Sequence, residues 1–372
     1  MKNKLRVCYF GGYRPDYPRH KFYTEALRNL GVEAMECCVS HQLPTWARIW
    51  QLGLKYWRGD YRADTILVEE FNHNVIPFAW LLARLTGQAL AFDPGVSPYD
   101  EHVLNVQDIP PRSLYARYLW LRDWLAFRLP DLVIWFTMVD MEHFQLMFGI
   151  SPEKTDWVSP GIDATLFDLL PMPPSDRPLV VHFDGNMSPT HGVDIILRAA
   201  ALLPDDDFYF EIIGGGMDAE MRSLASDLKL TNVSIPGFVS REELGASMRR
   251  AHICLGAFRD DGKLRRSLYT KEIQAMLCGR PLVTGYGEAK ARLFKDNDDL
   301  LMVRPEDPAA LAAALVYLRD HPGQMQAMAA NAYRAGRALL APENAGLKLL
   351  NLLQAAVNRR RGLVGQNPPR PL

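Results

Sequence analysis

The sequence predicts an α/β chain built from two doubly wound domains. Three observations predict it: short apolar runs that end at glycine turns and lead into helical stretches, the recurrence of that unit in both halves, and a proline-rich break between them. With 372 residues, 48% of them hydrophobic, there is chain enough for two buried cores.

Leu5 to Phe10 reads as a buried strand, Gly11-Gly12 as a tight turn, and Lys21 to Leu30 as a helix closed by Gly31. Further strands are expected at Thr65 to Val68, Ala89 to Phe92 and Leu132 to Phe136, with helices at Ile76 to Leu85 and Leu114 to Phe127. Leu169-Leu170-Pro171-Met172-Pro173-Pro174-Ser175-Asp176 carries neither periodicity and is read as the linker. Beyond it, strands are expected at Leu179 to Phe183, Phe208 to Ile213, Val233 to Ile235, Ile253 to Ala257 and Pro281 to Thr284. Helices fall between them at Gly192 to Leu202, Asp218 to Leu228, Glu242 to Arg249 and Lys271 to Leu277. Such alternation argues for parallel sheets covered on both faces, with ligands at the carboxyl ends of the strands and the site in an inter-domain cleft. The expected division is 1–170, 171–340, a helix over 341–358 with a return to the first domain as one option, and a disordered tail over 359–372.

Lys and Arg number 42 against 43 Asp and Glu. That balance gives no reason to expect a nucleic-acid partner or a strongly acidic substrate. Cys8, Cys37, Cys38, Cys254 and Cys278 match no metal spacing or CxxC pair, as suits reduced thiols in a cytoplasm. The start lacks the apolar run of a signal peptide, and no window reaches the ~18 apolar residues of a spanning helix. A cytoplasmic protein is expected.

Within the second half, Val158-Ser159-Pro160-Gly161-Ile162-Asp163 with Phe167, Phe183-Asp184-Gly185-Asn186, His191-Gly192-Val193-Asp194, and Ile212-Ile213-Gly214-Gly215-Gly216 follow one another. Ile235-Pro236-Gly237-Phe238-Val239 comes next, then Thr270-Lys271 at the start of a helix closing at Cys278-Gly279-Arg280-Pro281-Leu282-Val283. This series resembles the C-terminal domain of glycosyltransferase family four, the retaining GT-B enzymes. The resemblance covers roughly residues 155 to 335 well and the N-terminal half more loosely.

The resemblance implies a GT-B fold, two Rossmann-like domains facing across a cleft, the first for the acceptor and the second for a nucleotide sugar. It implies transfer from a nucleoside diphosphate sugar with retention; a membrane-bound acceptor would put that transfer in cell-envelope polysaccharide or glycolipid synthesis. The donor is a substrate, and no further cofactor or metal site is implied. No Asp-x-Asp motif is evident; Asp205-Asp206-Asp207 falls in an expected turn. Donor contacts are expected from Gly12, Gly185, Asn186, His191, Gly214, Gly215, Lys263, Arg266, Ser267, Thr270, Lys271 and Gln274.

Four positions depart from the family pattern. Asn186 and His191 stand where an arginine and a lysine grip the diphosphate, and Arg266 and Gln274 stand where a Glu-x7-Glu pair flanks the donor. Lys263, Arg265, Arg266 and Lys271 form a basic run that supplies relocated phosphate contacts or, alternatively, a solvated loop. Gln274 still offers an amide oxygen to a ribose hydroxyl, whereas Glu272, two positions away, points roughly 200° round the helix. These departures leave open a rival reading, a non-catalytic GT-B protein with a degenerate donor site. A dinucleotide-binding oxidoreductase fits poorly, because no GxGxxG follows the first strand.

In the first half, His20 follows the Gly11-Gly12 loop, and Asp93 and Asp100 bracket a polar turn after another strand. They are the catalytic or acceptor candidates; the alternatives are a surface or capping histidine, and an Asx turn with a helix cap. Between Thr45 and Arg58, Trp46, Ile49, Trp50, Leu54 and Trp57 recur at helical spacing, flanked by Arg48, Lys55, Arg58 and Arg62. An aromatic face with basic edges suits a helix lying on an anionic membrane, which makes a lipid-linked acceptor an option. The reading favoured from pattern alone is a helix packing its tryptophans on the sheet.

Overall fold

The computed structural model describes residues 4–159, 168–174, 178–340 and 342–362. Motif residues Pro160, Gly161, Ile162, Asp163 and Phe167, the linker's Ser175 and Asp176, and tail residues 363–372 therefore lie outside the described residues. The chain divides into two compact units, Met1–Gly161 with Pro342–Leu372, and Ile162–Ala341.

In the first unit the elements run β1 (Arg6–Gly12), α1 (Pro18–Asn29), β2 (Glu33–Val39), α2 (Thr45–Arg58), β3 (Thr65–Val68), α3 (Ile76–Thr86), β4 (Ala89–Phe92), α4 (Leu114–Arg128), β5 (Leu132–Trp135), α5 (Met138–Phe148) and β6 (Thr155–Trp157). The second runs β7 (Leu179–Asp184), α6 (Val193–Ala200), β8 (Phe208–Ile213), α7 (Asp218–Asp227), β9 (Val233–Gly237), α8 (Arg241–Arg250), β10 (Ile253–Leu255), α9 (Gly262–Arg266), α10 (Thr270–Leu277), β11 (Leu282–Gly285), α11 (Glu288–Leu293), β12 (Leu301–Val303), α12 (Pro308–Asp320) and α13 (Pro322–Leu340). A last helix, α14 (Pro342–Arg360), belongs to the first unit.

Both sheets are parallel, in the orders β2-β1-β3-β4-β5-β6 and β12-β11-β10-β7-β8-β9. In the first, β1 pairs on both sides, Val7 facing Ala34 of β2 and Thr65 of β3. Right-handed crossovers then force α1 to one face and α2 to α5 to the other. The cores obey this: Leu52, Ile76, Phe127 and Phe148 fill one face, and Leu27 joins Leu349, Leu353 and Val357 of α14 on the other.

The central strands and their helices lie within a few residues of the sequence expectation. Strands β2, β6 and β12 escaped it. Each is short or mixed in polarity, as in Glu33-Ala34-Met35-Glu36-Cys37-Cys38-Val39, and each lies at a sheet edge where one flank is unpaired. The favoured expectation for α2 is overturned. The helix buries Leu52 and Tyr56 against the sheet and leaves Trp46, Trp50 and Trp57 at 75%, 71% and 65% exposure. Positions 52 and 56 already supply the inward stripe at a spacing of four, so the tryptophans fall on the opposite side.

Candidate functional site

In the second unit the strand order reverses at β7: the chain proceeds through β8 to β9, then returns to β10 on β7's other side. Loops diverge at such a point and leave a crevice at the carboxyl ends. There Gly185 (φ 134°) and Gly214 (φ 146°) bring the ends of β7 and β8 together. A Cβ on Gly214 would stand 1.8 Å from the Gly185 carbonyl oxygen, so no other residue permits this approach. The Gly185 N–H donates to the Ile213 carbonyl at 2.9 Å, Gly214 to Gly237 at 3.0 Å, and Met187 to Gly215 at 2.8 Å.

Helix α10 aims Lys271 at this place. Its start is pinned by Glu272, whose fully buried carboxylate accepts from the Tyr269 N–H at 2.9 Å, the Thr284 hydroxyl at 2.5 Å and Lys290 Nζ at 3.2 Å. Glu272 is thereby spent on structure. Lys271 and Gln274, three residues apart, share a helix face. Lys271 is 6% exposed, and its Nζ lies 4.0 Å from the centroid of the Phe183 ring and under Gly185, where an added Cβ would meet it at 2.8 Å. Among the described residues, neither Lys271 Nζ nor Gln274 Oε1 has a hydrogen-bond partner. Burial pulls the Lys271 pKa down to about 8, against the pull of Asp184 and Glu272. A largely protonated amine thus sits in an apolar pocket with a ring face for company, an arrangement that an anionic ligand would relieve.

His191 behaves differently. Burial, and after it the charge of Lys271, pushes its pKa down to about 4, so the ring is neutral at pH 7. Its Nδ1–H donates to the Asn186 carbonyl, holding the turn from 186 to 191 closed. The basic run divides. Lys271 is in the site, Lys263 is near enough to add to the depression of His191, and Arg265 turns to Asp260 at 3.0 Å. Lys263 and Arg266 lie on the five-residue α9 with interactions of their own, Ser267 follows half-buried and Thr270 is exposed.

In the first unit the corresponding reversal lies between β1 and β3. Asn72, after β3, accepts the Gly12 N–H at 2.8 Å and donates to the Glu70 carbonyl at 2.8 Å; a Cβ on Gly12 would stand 2.6 Å from Arg48 Nε. His20 is buried, with Nδ1 2.9 Å from Glu69 Oε1, which removes the surface reading. Asp93 is likewise buried, taking Arg19 in a two-pronged pair at 2.7 and 3.2 Å. Arg19 Nε also lies 3.5 Å from Glu70, and its guanidinium stacks between Tyr23 and Phe136 at 4.6 and 3.9 Å. Burial, then Asp93, pushes the Glu70 carboxyl up to about 8. Asp100 belongs to a separate group, accepting from Asn105 at 2.8 Å with His143 Nε2 at 3.3 Å. Sequence reasoning missed Glu69, Glu70 and Asn72. The signal was available: an acidic pair directly after the strand Thr65–Val68, at the carboxyl edge where doubly wound folds hold ligands.

Residues 178–321 match the profile of a family described as glycosyl transferases group 1. The chain is 26% identical to the D-rhamnosyltransferase WbpZ of Pseudomonas aeruginosa over 271 residues, 69% of this chain and 65% of that one. It is 26% identical to a D-inositol 3-phosphate glycosyltransferase of Thermomonospora curvata over 220 residues, 52% and 50% of the two chains. The chain thus spans from half to about two thirds of the length of these curated relatives.

Among solved structures, Anabaena HepE in complex with UDP and glucose superposes with a TM-score of 0.73 at 15% identity, covering 94% of this chain and all of that one. WaaG, a glycosyltransferase involved in lipopolysaccharide biosynthesis, gives 0.65 at 14% identity over 96% and 100%. The chain therefore has the GT-B fold. Against the family pattern its second unit keeps the glycine junction of β7 and β8 and carries Asn186, His191, Arg266 and Gln274 at the four departing positions.

Proposed function

We propose that this chain transfers a sugar from a nucleoside diphosphate sugar to a carbohydrate or lipid-linked acceptor, with retention and without a metal, in the assembly of a cell-envelope polysaccharide or glycolipid. The observation that carries the proposal is the buried Lys271 Nζ, without a hydrogen-bond partner among the described residues, under Gly185 of the Gly185 and Gly214 junction, with Gln274 Oε1 likewise unpartnered there on the same face of α10. The ammonium suits a diphosphate, and an amide oxygen three residues on suits a ribose hydroxyl. A fold relative that binds UDP and a curated relative that transfers rhamnose support the same class of donor.

In this reading the second unit holds the donor. As the bond from the anomeric carbon to the diphosphate breaks, the electron pair leaves with the phosphate oxygen, and Lys271 meets the growing charge inside a water-poor site. Lys263, Arg266, Ser267 and Thr270 line the approach, and His191 with Asn186 shapes the phosphate turn. The first unit holds the acceptor near Gly12, where Arg19, Glu70 and Asp93 form a preorganised polar floor beside the His20 and Glu69 pair, and Asp100 with His143 offers a separate polar group.

Calorimetry with UDP, GDP, ADP and TDP tests the donor site. One nucleotide should bind selectively, and Lys271→Met should weaken it at least about tenfold, the worth of one hydrogen bond to a charged group. Failure of all four to bind at millimolar concentration would remove the reading. The four altered positions favour a second one, a binding protein without turnover. It predicts selective nucleotide binding while the matching nucleotide sugar stays intact through prolonged incubation with candidate acceptors.

A further inference from the structure

The outer face of the first unit gathers exposed apolar side chains from three helices. Helices α2, α3 and α4 lie side by side on one face of the sheet. Gly53 of α2 meets Phe78 of α3, and Asn74 joins Thr45 of α2 to Tyr118 of α4 through contacts of 3.4 and 3.2 Å. Their inward sides share one core, so their outward sides form one continuous surface. On α2 that surface is Trp46, Trp50 and Trp57. On α3 it is Leu81 and Leu85, and on α4 it is the stripe Leu114, Tyr118 and Leu121, Leu114 being 81% exposed. Apolar patches of this extent on a folded surface mark a docking site.

Charge identifies what docks. Of the basic residues on helices α2 and α4, Arg58, Arg117 and Arg128 are exposed, and the two helices carry a single acid, Asp123. Asp123 is fully buried and already faces Arg122 at 3.0 Å. The chain as a whole carries a net charge of −1, so this is a local segregation rather than a basic composition. A second copy meeting this face would set like charges against each other. Indole and phenol rings with cationic edges match the headgroup level of an anionic bilayer, where the rings sit among acyl chain ends and the arginines meet phosphates. No helix among the described residues is long and apolar enough to cross the membrane, so the contact is peripheral.

We infer that the α2–α3–α4 face of the first unit docks on an anionic lipid bilayer, with Trp46, Trp50 and Trp57 as the inserted anchors. The inference goes beyond sugar transfer and stands or falls separately from it, because the assay needs neither donor nor acceptor. The full chain is sedimented with phosphatidylcholine vesicles prepared with and without phosphatidylglycerol. Binding to the anionic vesicles, with a blue shift of tryptophan emission and release by salt, is expected. The variant Trp46→Ser, Trp50→Ser, Trp57→Ser should lose at least about tenfold in partitioning, since each ring inserts apolar area, and should keep its Tm, since all three rings are exposed in the fold. Arg58→Glu with Arg117→Glu should abolish the preference for anionic over neutral vesicles. The inference is overturned if the wild type stays in the supernatant or if the tryptophan variant binds equally. It is also overturned if sedimentation velocity shows a dimer that the variant dissolves, which would make the face a protein interface.

Discussion

At the scale of single residues, the buried ionisable groups carry the chemistry and its pH signature. Lys271 has a folded pKa of about 8 against an ordinary 10.5. Between those values the unfolded chain binds the extra proton, so the stability of the free protein rises with pH across that window. Lys271→Met should flatten that rise and leave Tm at pH 7 unchanged or higher, because among the described residues the amine has no hydrogen bond to lose, while weakening nucleotide binding. A structural lysine would give the opposite result, a lower Tm. Glu70 runs the other way. Its folded pKa of about 8 lies above the ordinary 4.5, so its contribution is fully present below pH 4.5 and is lost as pH rises towards 8. Glu70→Gln should raise Tm at pH 8 and leave it nearly unchanged at pH 4, a comparison that a thermal melt series decides. None of this was legible beforehand. That Lys271 matters followed from its place in a motif, but that its amine is buried and unpaired depends on Phe183 and Gly185, 88 and 86 positions away in the chain.

At the scale of elements, the site depends on how α10 is fastened. Glu272 caps its first turn and meets Lys290 of α11 and Thr284 of β11, so one carboxylate fixes three elements. Glu272→Ala should cost ~3–5 kcal/mol in denaturant unfolding, because it strands the fully buried Lys290. Adding Lys290→Met should restore most of that loss, whereas simple loss of a cap would leave the double variant no better. Helix α2 shows where pattern reading stops. Its amphipathic period was visible in the sequence, yet a helix of this composition has two candidate apolar stripes. The crossover geometry selected Leu52 and Tyr56 for the core and turned the tryptophans outward. The edge strands β2, β6 and β12 were illegible for a related reason: a strand paired on one flank needs no continuous apolar run.

For the whole molecule, α14 ties the end of the chain into the first unit. Leu349, Leu353 and Val357 are buried there with Leu27 and Val7, and burying each such side chain is worth ~1.5–3 kcal/mol. Truncation after residue 341 should therefore remove at least about 5 kcal/mol from the first unit, a sum comparable to the stability of a whole domain. Residues 4–161 alone should express as insoluble protein, and coexpression with 342–362 as a separate segment should recover soluble material. The second unit, whose sheet and helices close within 162–341, should melt as before.

The sequence by itself determined the fold class, the central strands with their glycine turns, and the family profile that 178–321 matches, because each of these is written in local pattern and in order along the chain. Only the tertiary structure decided which charges are buried and with whom. It divided the basic run between Lys271 and Arg265, turned His20 and Asp93 inward to Glu69 and Arg19, and set three tryptophans on the surface. The physical reason is that periodicity reports which side of an element is apolar, whereas solvation and pairing depend on side chains brought together from elements far apart in the chain.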